Sequence, residues 1–597
     1  MLFTQPLAAA MVRHSGDTPS LFDGNRRSNR YSSNAREREA DMRALLLIVT
    51  IAWAAEAHAV QLAVQKVSNA RFVPHSEYDY LPAFTNFIEF HNELYFTASI
   101  AEGRENKLFK TDGVQITQFD VDPGEHVGLQ FVEFKNDLYF RGKADDGIEL
   151  FRTDGATLTN LDVSPYPEGS WPHDLAVVGD QLYFRGAIFS SYDDITTYLF
   201  RTDGAAIERV ADVGVVESYP WHDAVGQSLY FPANGSDGFE MFRAEGSTVH
   251  QFIDVNPGPE SSDPWPAGEL NGEFYFTARS AAGRELFKTD GVSTLKLPLP
   301  ADPDRLGGPV NFFPFGGKLY FGAKGEHGYE MFSTDGHTVT EYDLNPGPAS
   351  SHPLAYEATR FGDQLVVTAE GPEGWALFVV DGSETRRLDM HPYPADSAPL
   401  WFHEFNGELY FAGVGPNGPD LLKTDGFSIT EFDVVPDGLE NSRVSMYDAV
   451  EFEGELYVRA VTANGSELVK TDGVITTMFD VNPGPAGSSP TQLTVFGDQL
   501  LFTAFTPTGH AIFSTDGTTV QQLADLNSGS EMHPNYQGIA LPSITEFVRF
   551  DDQLLFLAKT WEGFYLHRIV AVPEPSTSVV AALLAIVLFA RRTNNFA

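Results

Sequence analysis

The hydrophobic positions of this chain follow a short two-residue alternation that recurs many times. A segment of the form Leu-Tyr-Phe, flanked by polar and turn residues, returns about every 46 residues. Short apolar segments bounded by Gly, Asn and Asp are typical of β-strands, and a fixed period of this length is typical of a repeat fold. The eleven copies begin at Leu94, Leu138, Leu182, Leu229, Phe274, Leu319, Leu365, Leu409, Leu456, Leu500 and Leu554.

A second landmark, Thr-Asp-Gly, follows the Leu-Tyr-Phe segment by about 17 residues in most copies, as at Asp112 and Asp154. In the first copy, FTNFIEF, ELYFTAS, NKLFK and VQITQFDV read as strands a, b, c and d. The Asp-Gly pair predicts a c–d hairpin with a type I′ turn, in which both central residues have positive φ. Four short antiparallel strands per copy are typical of a propeller blade. The sequence therefore predicts an all-β chain, a β-propeller of about eleven four-stranded blades of ~45 residues.

The two ends of the repeat array, residues 60–571, predict how it closes. The last copy stops after strand c near Ala571, and Val60–Asn69 reads as an unpaired strand d, with Lys66 where other copies carry Asp. Pairing these two segments completes the eleventh blade and covers a sheet edge. Because single rings usually hold about four to eight blades, two rings are favoured over one wide ring.

The first 59 residues read as a leader. Residues 1–41 are polar and rich in Arg, and we interpret them as an over-extended start or a disordered segment. From Met42 the chain has a basic residue, an apolar stretch and a small-x-small cleavage site at Ala57 and Ala59. Residues 42–59 are therefore predicted to be a signal peptide that forms a short helix. A long n-region that includes residues 1–41 stays open as the alternative.

The last segment, residues 572–597, combines a Pro-Glu-Pro triplet, a short apolar run and a basic pair. Its features are, in order, Pro573, Glu574 and Pro575; Val579–Ala590; and Arg591 and Arg592. A helix over the apolar run spans about 18 Å, less than a hydrocarbon core of ~30 Å. The order resembles the PEP-CTERM sorting signal of Gram-negative and planctomycete bacteria. The resemblance implies export, transient membrane association through a short C-terminal helix, and processing by an exosortase. A simple tail anchor with both Arg residues inside is the alternative.

The repeated LF-x-T-D-G segment resembles the ELWxxDGT repeat of large exported bacterial proteins. Phe stands here where that pattern has Trp. The resemblance covers most of residues 60–571, and it implies a fold more than an activity.

The charge of the chain narrows the classes of partner. It carries 82 acidic against 39 basic residues, a formal net charge of −43. Such a surface repels nucleic acid phosphates and anionic lipid headgroups, so neither is an expected partner. The absence of cysteine excludes disulfides, thiolate metal sites and cysteine nucleophiles.

The d–a loops carry residues that differ from the Phe-dominated repeat. Trp faces stack on sugar rings, and a His beside a carboxylate is suited to acid–base chemistry. The alternative is structural, with Trp capping a blade and His bonding a backbone carbonyl. The candidate ligand-binding residues are Trp171, His173 and Asp174; Trp221, His222 and Asp223; Trp265; and Trp401 and His403. A further loop residue is His533.

A recurrent Asp and Asn pair precedes Pro-Gly turns, as in FIDVNPGP and YDLNPGP. These oxygens are of the type that binds Ca²⁺, but two per copy fall short of the six to eight ligands that Ca²⁺ takes. Asp and Asn also bond their own backbone in turns, so no cofactor and no metal site is predicted, with Ca²⁺ as the alternative. The Asp of Thr-Asp-Gly recurs in nearly every copy, which favours a turn role over a catalytic one.

Together these features predict an exported, non-catalytic propeller at the cell surface, outer envelope or extracellular matrix of a Gram-negative-type or planctomycete bacterium. Its expected partners are the export and exosortase machinery, exopolysaccharide or other glycans, and surface proteins. The alternatives are an extracellular polysaccharide lyase or hydrolase that uses a loop His, and a purely structural spacer.

Overall fold

The repeated short strands pair into four-stranded antiparallel sheets in a computed structural model of the chain. The described residues are 61–572 without 68–70, 73–83, 102–104, 123–129, 145–146, 165–168, 192–193, 211–222, 252, 300–307, 354–357, 383, 389–398, 416–417, 433, 435–443, 526–543 and 561–562. This part of the chain is all-β, with eleven four-stranded sheets and no helix, which confirms the predicted fold class. No helix within these ranges is long and apolar enough to cross a membrane. The predicted signal helix, the C-terminal helix and the sorting residues lie outside the described residues.

The strands of the first half follow the predicted order. The described part of the chain starts with β1 (Gln61–Lys66). Blade 1 holds β2 (Phe84–Phe90), β3 (Glu93–Ala101), β4 (Glu105–Thr111) and β5 (Ile116–Phe119). Blade 2 holds β6 (Val132–Phe134), β7 (Asp137–Ala144), β8 (Gly147–Thr153) and β9 (Leu158–Leu161). Blade 3 holds β10 (His173–Val178), β11 (Gln181–Ser191), β12 (Asp194–Thr202) and β13 (Ile207–Arg209). Blade 4 holds β14 (Asp223–Val225), β15 (Ser228–Gly235), β16 (Gly238–Glu245) and β17 (Thr248–Gln251). Blade 5 holds β18 (Trp265–Leu270), β19 (Glu273–Ser280), β20 (Gly283–Thr289) and β21 (Thr294–Lys296).

The second half repeats this order. Blade 6 holds β22 (Val310–Phe315), β23 (Lys318–Gly325), β24 (Gly328–Thr334) and β25 (Val339–Tyr342). Blade 7 holds β26 (Ala358–Phe361), β27 (Gln364–Gly371), β28 (Gly374–Asp381) and β29 (Glu384–Leu388). Blade 8 holds β30 (Leu400–Phe405), β31 (Glu408–Gly415), β32 (Gly418–Thr424) and β33 (Ile429–Phe432). Blade 9 holds β34 (Val444–Phe452), β35 (Glu455–Thr462), β36 (Gly465–Thr471) and β37 (Thr476–Phe479). Blade 10 holds β38 (Thr491–Phe496), β39 (Gln499–Thr506), β40 (Gly509–Thr515) and β41 (Val520–Ala524). Blade 11 holds β42 (Val548–Phe550), β43 (Gln553–Thr560), β44 (Gly563–Val572) and β1.

The alternation of Leu-Tyr-Phe in strand b decides which side chain meets which neighbouring blade. In blade 1, Leu94 and Phe96 pack against blade 11, whereas Tyr95 packs against blade 2. Both faces of the strand are therefore buried, and for this reason the segment reads as a continuous apolar run.

The two kinds of hairpin turn in a blade differ. The a–b turn of blade 1 has two residues of positive φ, His91 (53°) and Asn92 (59°), as a type I′ turn requires. In the c–d turn only Gly113 has positive φ (83°), so the predicted type I′ turn at Thr-Asp-Gly is wrong, although the hairpin is present. The Asp112 carboxylate accepts hydrogen bonds from two backbone N–H groups beyond the glycine, at 2.8 and 2.7 Å. Such bonding by an Asp side chain builds a wider turn.

The blades form one ring of eleven, and the prediction of two rings is wrong. Eleven hydrophobic clusters each join two blades that follow one another, and one of them joins blade 11 to blade 1. In two rings, two of these clusters would instead join blades several copies apart. The Leu, Tyr and Phe faces are nearly the same in every copy, so no blade presents a surface that ends a smaller ring.

The ring closes as predicted, through a strand d borrowed from the start of the chain. β1 pairs antiparallel with β44, from Gln61 opposite Val572 to Lys66 opposite His567. The Arg568 guanidinium donates to Gln65 Oε1 on β1, at 2.9 and 3.1 Å. The closing strand is therefore fixed by its backbone ladder and by this side-chain bridge.

A basic residue on strand c connects most blades to the next one. Its side chain donates to the carbonyl of the glycine in the Thr-Asp-Gly turn of the following blade, as Lys110 does to Gly155 at 2.7 Å. At the closure Arg568 donates in the same way to Gly113 of blade 1, at 2.9 Å. The other described pairs of this kind are Arg152 and Gly204, Arg243 and Gly291, Lys423 and Gly473, and Lys470 and Gly517. In blade 7 the donor to the next turn is instead Arg386 of strand d, which bonds the Gly426 carbonyl.

Candidate functional site

The connections between blades are held in place by a buried glutamate on strand c. In blade 6, Glu330 accepts hydrogen bonds from Ser351 Oγ (2.6 Å) and from the backbone N–H of Leu344 (2.9 Å). The backbone N–H of Ser351 donates to the carbonyl of Tyr329 (3.0 Å), so both ends of the d–a loop are tied to strand c. The same pairing recurs at Glu149 and Ser170, Glu240 and Ser262, and Glu467 and Ser488.

The Asn side chains before the Pro-Gly turns, considered above as calcium ligands, bond within their own loop. Asn345 Nδ2 donates to the carbonyl of Ser350 (3.1 Å), and Asn482 Nδ2 donates to that of Gly487 (2.7 Å). These bonds stiffen the same d–a loops that the buried glutamates hold. Within the described ranges, no three His, Asp or Glu side chains are grouped so that they could hold a metal ion.

Burial gives the anchoring glutamates raised pKa values. Desolvation raises the pKa of Glu149 to about 7 against the hydrogen bonds from Ser170 and Val163, which lower it. Desolvation also raises the pKa of Glu240, Glu330 and Glu467. Folding therefore shifts these four glutamates toward the protonated form relative to exposed carboxylates.

We expect Glu149→Gln to reduce the change in the free energy of unfolding with pH. Because folding raises the pKa of Glu149, its contribution is complete below pH 4.5 and is lost as the pH rises through about 7. Glutamine keeps an acceptor for Ser170 and does not titrate. Urea unfolding at pH 4.5 and pH 8 should show that the variant loses less stability than the wild type, by about 2 kcal/mol. The exposed Glu133→Gln serves as the control, and an unchanged pH profile in Glu149→Gln would contradict the assignment.

The d–a loops and b–c turns meet at one end of the blades, which we call the loop face. In blade 5 the strand register places Trp265 opposite Thr277. Beyond this pair, Arg279 and Arg284 stand opposite each other next to the b–c turn. The loop face is therefore where residues that vary between copies come together.

A cleft of about 710 Å³ opens on the loop face across blades 4, 5 and 6. We call it the Trp265 cleft. Trp265 is 40% exposed there, and the Arg284 guanidinium donates from Nη1 to the Asp263 carbonyl (2.9 Å) and to Thr277 Oγ1 (3.3 Å). The lining residues are Phe239, Asp263, Pro264, Trp265, Thr277, Arg279, Arg284 and Gly308, Pro309, Val310, Asn311 and Phe312.

A second group on the loop face contains the predicted Trp171, His173 and Asp174. His173 stands opposite Arg185 in the strand register, as Trp265 stands opposite Thr277 in blade 5. Its Nδ1–H donates to the Trp171 carbonyl (2.7 Å), and its Nε2 lies 3.8 Å from the Asp174 carboxylate. Asp174 also forms an ion pair with Arg185. Burial, and next the charge of Arg185, lower the pKa of His173, so the neutral imidazole is favoured.

The remaining predicted residues are not in either group. Trp401 is half-buried against the cluster shared by blades 8 and 9, and has a φ of 60°. His403 Nε2 lies 3.6 Å from the Glu451 carboxylate of the next blade. Asp223 begins strand a of blade 4, and burial raises its pKa. Three predicted residues lie outside the described ranges, namely Trp221, His222 and His533.

Sequence reasoning missed the arginines and the glutamate anchors. Arg279 and Arg284 are near each other in sequence, yet the cleft is completed by Gly308–Phe312 of the next blade. The anchors did leave a signal, because Ser351 follows Glu330 by 21 residues and the same Glu-to-Ser spacing, to within one residue, recurs in three other blades. That spacing predicts the hydrogen bond between Glu and Ser only once the anchoring role of the glutamate is known.

The eleven four-stranded sheets define an eleven-bladed β-propeller with a ligand-sized cleft on its loop face. Among solved structures, the chain is similar to a Mycobacterium tuberculosis puromycin-hydrolyzing peptidase, with 16% identity, 62% of each chain covered and a TM-score of 0.28. It is similar to the tricorn protease at 10% identity, over 80% of this chain and 57% of that one, with a TM-score of 0.26. It is also similar to the Niastella koreensis GH74 enzyme, at 11% identity and with a TM-score of 0.23. That match covers 80% of this chain and 82% of the enzyme.

These likenesses carry no argument about activity, because the identities and TM-scores are low. The chain spans 62% of the length of the first of these proteins and 57% of the second. No family model matches the chain, and no curated protein matches it.

Proposed function

We propose that this protein is an exported, non-catalytic β-propeller of the bacterial cell surface or matrix that binds glycan polymers through its loop face. The observation that carries the proposal is the loop face itself, where exposed tryptophans stand on loops that buried glutamates hold rigid. Trp171 and Trp265 are 44% and 40% exposed, although large aromatic side chains are usually buried.

A rigid platform with exposed Trp faces suits a carbohydrate. Trp offers a large flat surface and one N–H donor, and ordering it on binding costs little side-chain entropy. Asp174 and Arg185 beside Trp171, and Asp263 and Arg279 beside Trp265, offer polar groups for hydroxyl recognition. Export and surface sorting rest on the leader and on the terminal Pro-Glu-Pro and Arg-Arg pattern. The acidic surface keeps such a protein soluble outside the cell.

The expected result is that Trp265→Ala weakens binding of the protein to its host's exopolysaccharide about tenfold, as loss of an aromatic anchor does. Trp171→Ala should weaken binding to a similar extent if both groups contact the polymer. The control is Phe427→Ala, because Phe427 is a still more exposed aromatic residue, at 68%, but lies at a c–d turn, away from the loop face. Binding by surface plasmon resonance that is unaffected by both Trp variants, or no binding at all, would overturn the proposal in favour of a spacer.

A second candidate function, a polysaccharide lyase or hydrolase, is favoured by one observation. His173 has a lowered pKa, its Nδ1–H is engaged by a carbonyl, and Nε2 is the nitrogen that can accept a proton. Incubating the protein with the same polymer and measuring new reducing ends distinguishes the two functions. Cleavage that His173→Ala abolishes would replace the binding proposal with catalysis.

A further inference from the structure

We propose that the Trp265 cleft binds a carboxylate-bearing sugar, the uronate unit of an acidic polysaccharide. This inference rests on the proposed glycan binding and adds the chemical class of the ligand. It is argued from the charges, the register and the shape of the cleft.

The cleft holds two guanidinium groups that the fold forces together. Arg279 and Arg284 are directly opposite each other in the β19–β20 ladder. Like charges at such positions destabilise a sheet. Asp263 is the carboxylate among the lining residues, and the Arg279 Nε lies 4.0 Å from it. One carboxylate and two guanidiniums among the lining residues leave a net positive charge, which a second carboxylate from a ligand would neutralise.

The shape of the cleft keeps the arginines in position. Arg284 is fixed by its bonds to the Asp263 carbonyl and Thr277. Its aliphatic stem lies under Gly308 of blade 6, where an added Cβ would be only 2.3 Å from the Arg284 Cδ. A glycine at this position therefore permits the close approach of the two blades. The Arg279 side chain lines the cleft and is 23% exposed, and its Nε makes no hydrogen bond to any described residue, so a bound carboxylate would give this guanidinium a partner.

The class of ligand follows from the combination of groups. A planar guanidinium matches a carboxylate through two parallel hydrogen bonds, and Trp265 supplies a flat apolar surface for the sugar ring. The volume of about 710 Å³ is in the range of small-ligand sites and holds a few sugar units. Because the whole chain carries a formal net charge of −43, it repels an acidic polymer at long range. A local pair of arginines is then required to hold it.

The test measures binding of the full chain to a galacturonate tetrasaccharide and to a neutral glucose tetrasaccharide by calorimetry. We expect Arg279→Gln and Arg284→Gln each to weaken binding of the acidic probe about tenfold or more. Asp263→Asn removes the competing carboxylate and should strengthen it severalfold. Arg360→Gln, at an exposed arginine near an a–b turn, is the control and should change nothing.

The outcomes separate this inference from the proposed function. Binding of the neutral probe that depends on Trp265 and ignores both arginines would overturn the uronate assignment and leave glycan binding in place. Preference for a sulfated tetrasaccharide over the galacturonate would overturn the carboxylate assignment. If neither the exopolysaccharide nor any probe binds, the proposed function and this inference both fall. Since Arg284 contacts the backbone, Arg279→Gln decides the matter if Arg284→Gln fails to fold.

Discussion

Replacing Leu62 and Val64 with aspartate is expected to lower the free energy of unfolding by about 3–5 kcal/mol. Both side chains pack against the cluster that joins blades 10 and 11. Burial of one Val or Leu side chain contributes roughly 1.5–3 kcal/mol, and a charge placed there would drive β1 off the sheet. Without β1, blade 11 keeps three strands and exposes the edge of β44. Urea unfolding followed by tryptophan fluorescence measures the loss.

The matched control replaces two apolar residues that do not close the ring. Val292 and Leu295 lie on the c–d turn and strand d of blade 5 and are 93% and 56% exposed. Their double substitution by aspartate should change the free energy of unfolding by less than about 1 kcal/mol. Equal losses in the two double variants would show that closure by β1 contributes no special stability.

Glu330→Ala is expected to cost about 2–4 kcal/mol and to loosen one loop of the loop face. The substitution leaves the Ser351 hydroxyl and the buried N–H of Leu344 without their acceptor, and it opens a cavity beside them. Amide hydrogen exchange should rise in residues 344–351 while the strands of distant blades stay protected.

Two further variants distinguish the loss of the hydrogen-bond acceptor at Glu330 from the loss of a negative charge. Glu330→Gln keeps an acceptor oxygen and should cost much less than Glu330→Ala. Glu326→Ala removes an exposed carboxylate at the neighbouring b–c turn and should have little effect. Unchanged exchange in residues 344–351 of Glu330→Ala would contradict the anchoring role.

The blades could be predicted from the sequence because their determinants are local. Leu-Tyr-Phe alternation, turn residues and the Thr-Asp-Gly landmark all lie within one copy, and they indicated four strands in each. Even the closing strand was visible, since Gln61–Lys66 repeats the pattern of a strand d with no blade of its own. The type of the c–d turn was wrong because the Asp112 carboxylate, not the backbone alone, shapes it.

The number of rings could not be predicted because it depends on contacts between copies. Whether blade 11 meets blade 1 is decided by packing such as that of Leu94 and Phe96 on Phe564 and Leu566. These residues are far apart in sequence, and each resembles its counterparts in the other copies. The usual blade number of propellers was therefore a poor guide to this chain.

The candidate site could be predicted only in part. Trp265 and His173 stood out as unusual residues in a regular repeat, and both lie on the loop face. Their neighbours Arg279 and Arg185 come from strand b, where an arginine looks like any solvated charge. Their placement depends on a strand register that pairs residues across the blade, which single-sequence patterns do not report.

The closing blade also has a mechanical consequence. The chain enters at Gln61 and leaves at Val572, and these two residues are register partners, so both ends emerge side by side. β44 is held along both edges, by six partners on β1 and eight on β43. A force applied at Val572 along β44 must therefore break the hydrogen bonds to β1 and to β43 together, in shear. It cannot open one edge of the strand bond by bond. A propeller tethered at this point would carry drag from a bound polymer through a strand that is paired along both of its edges.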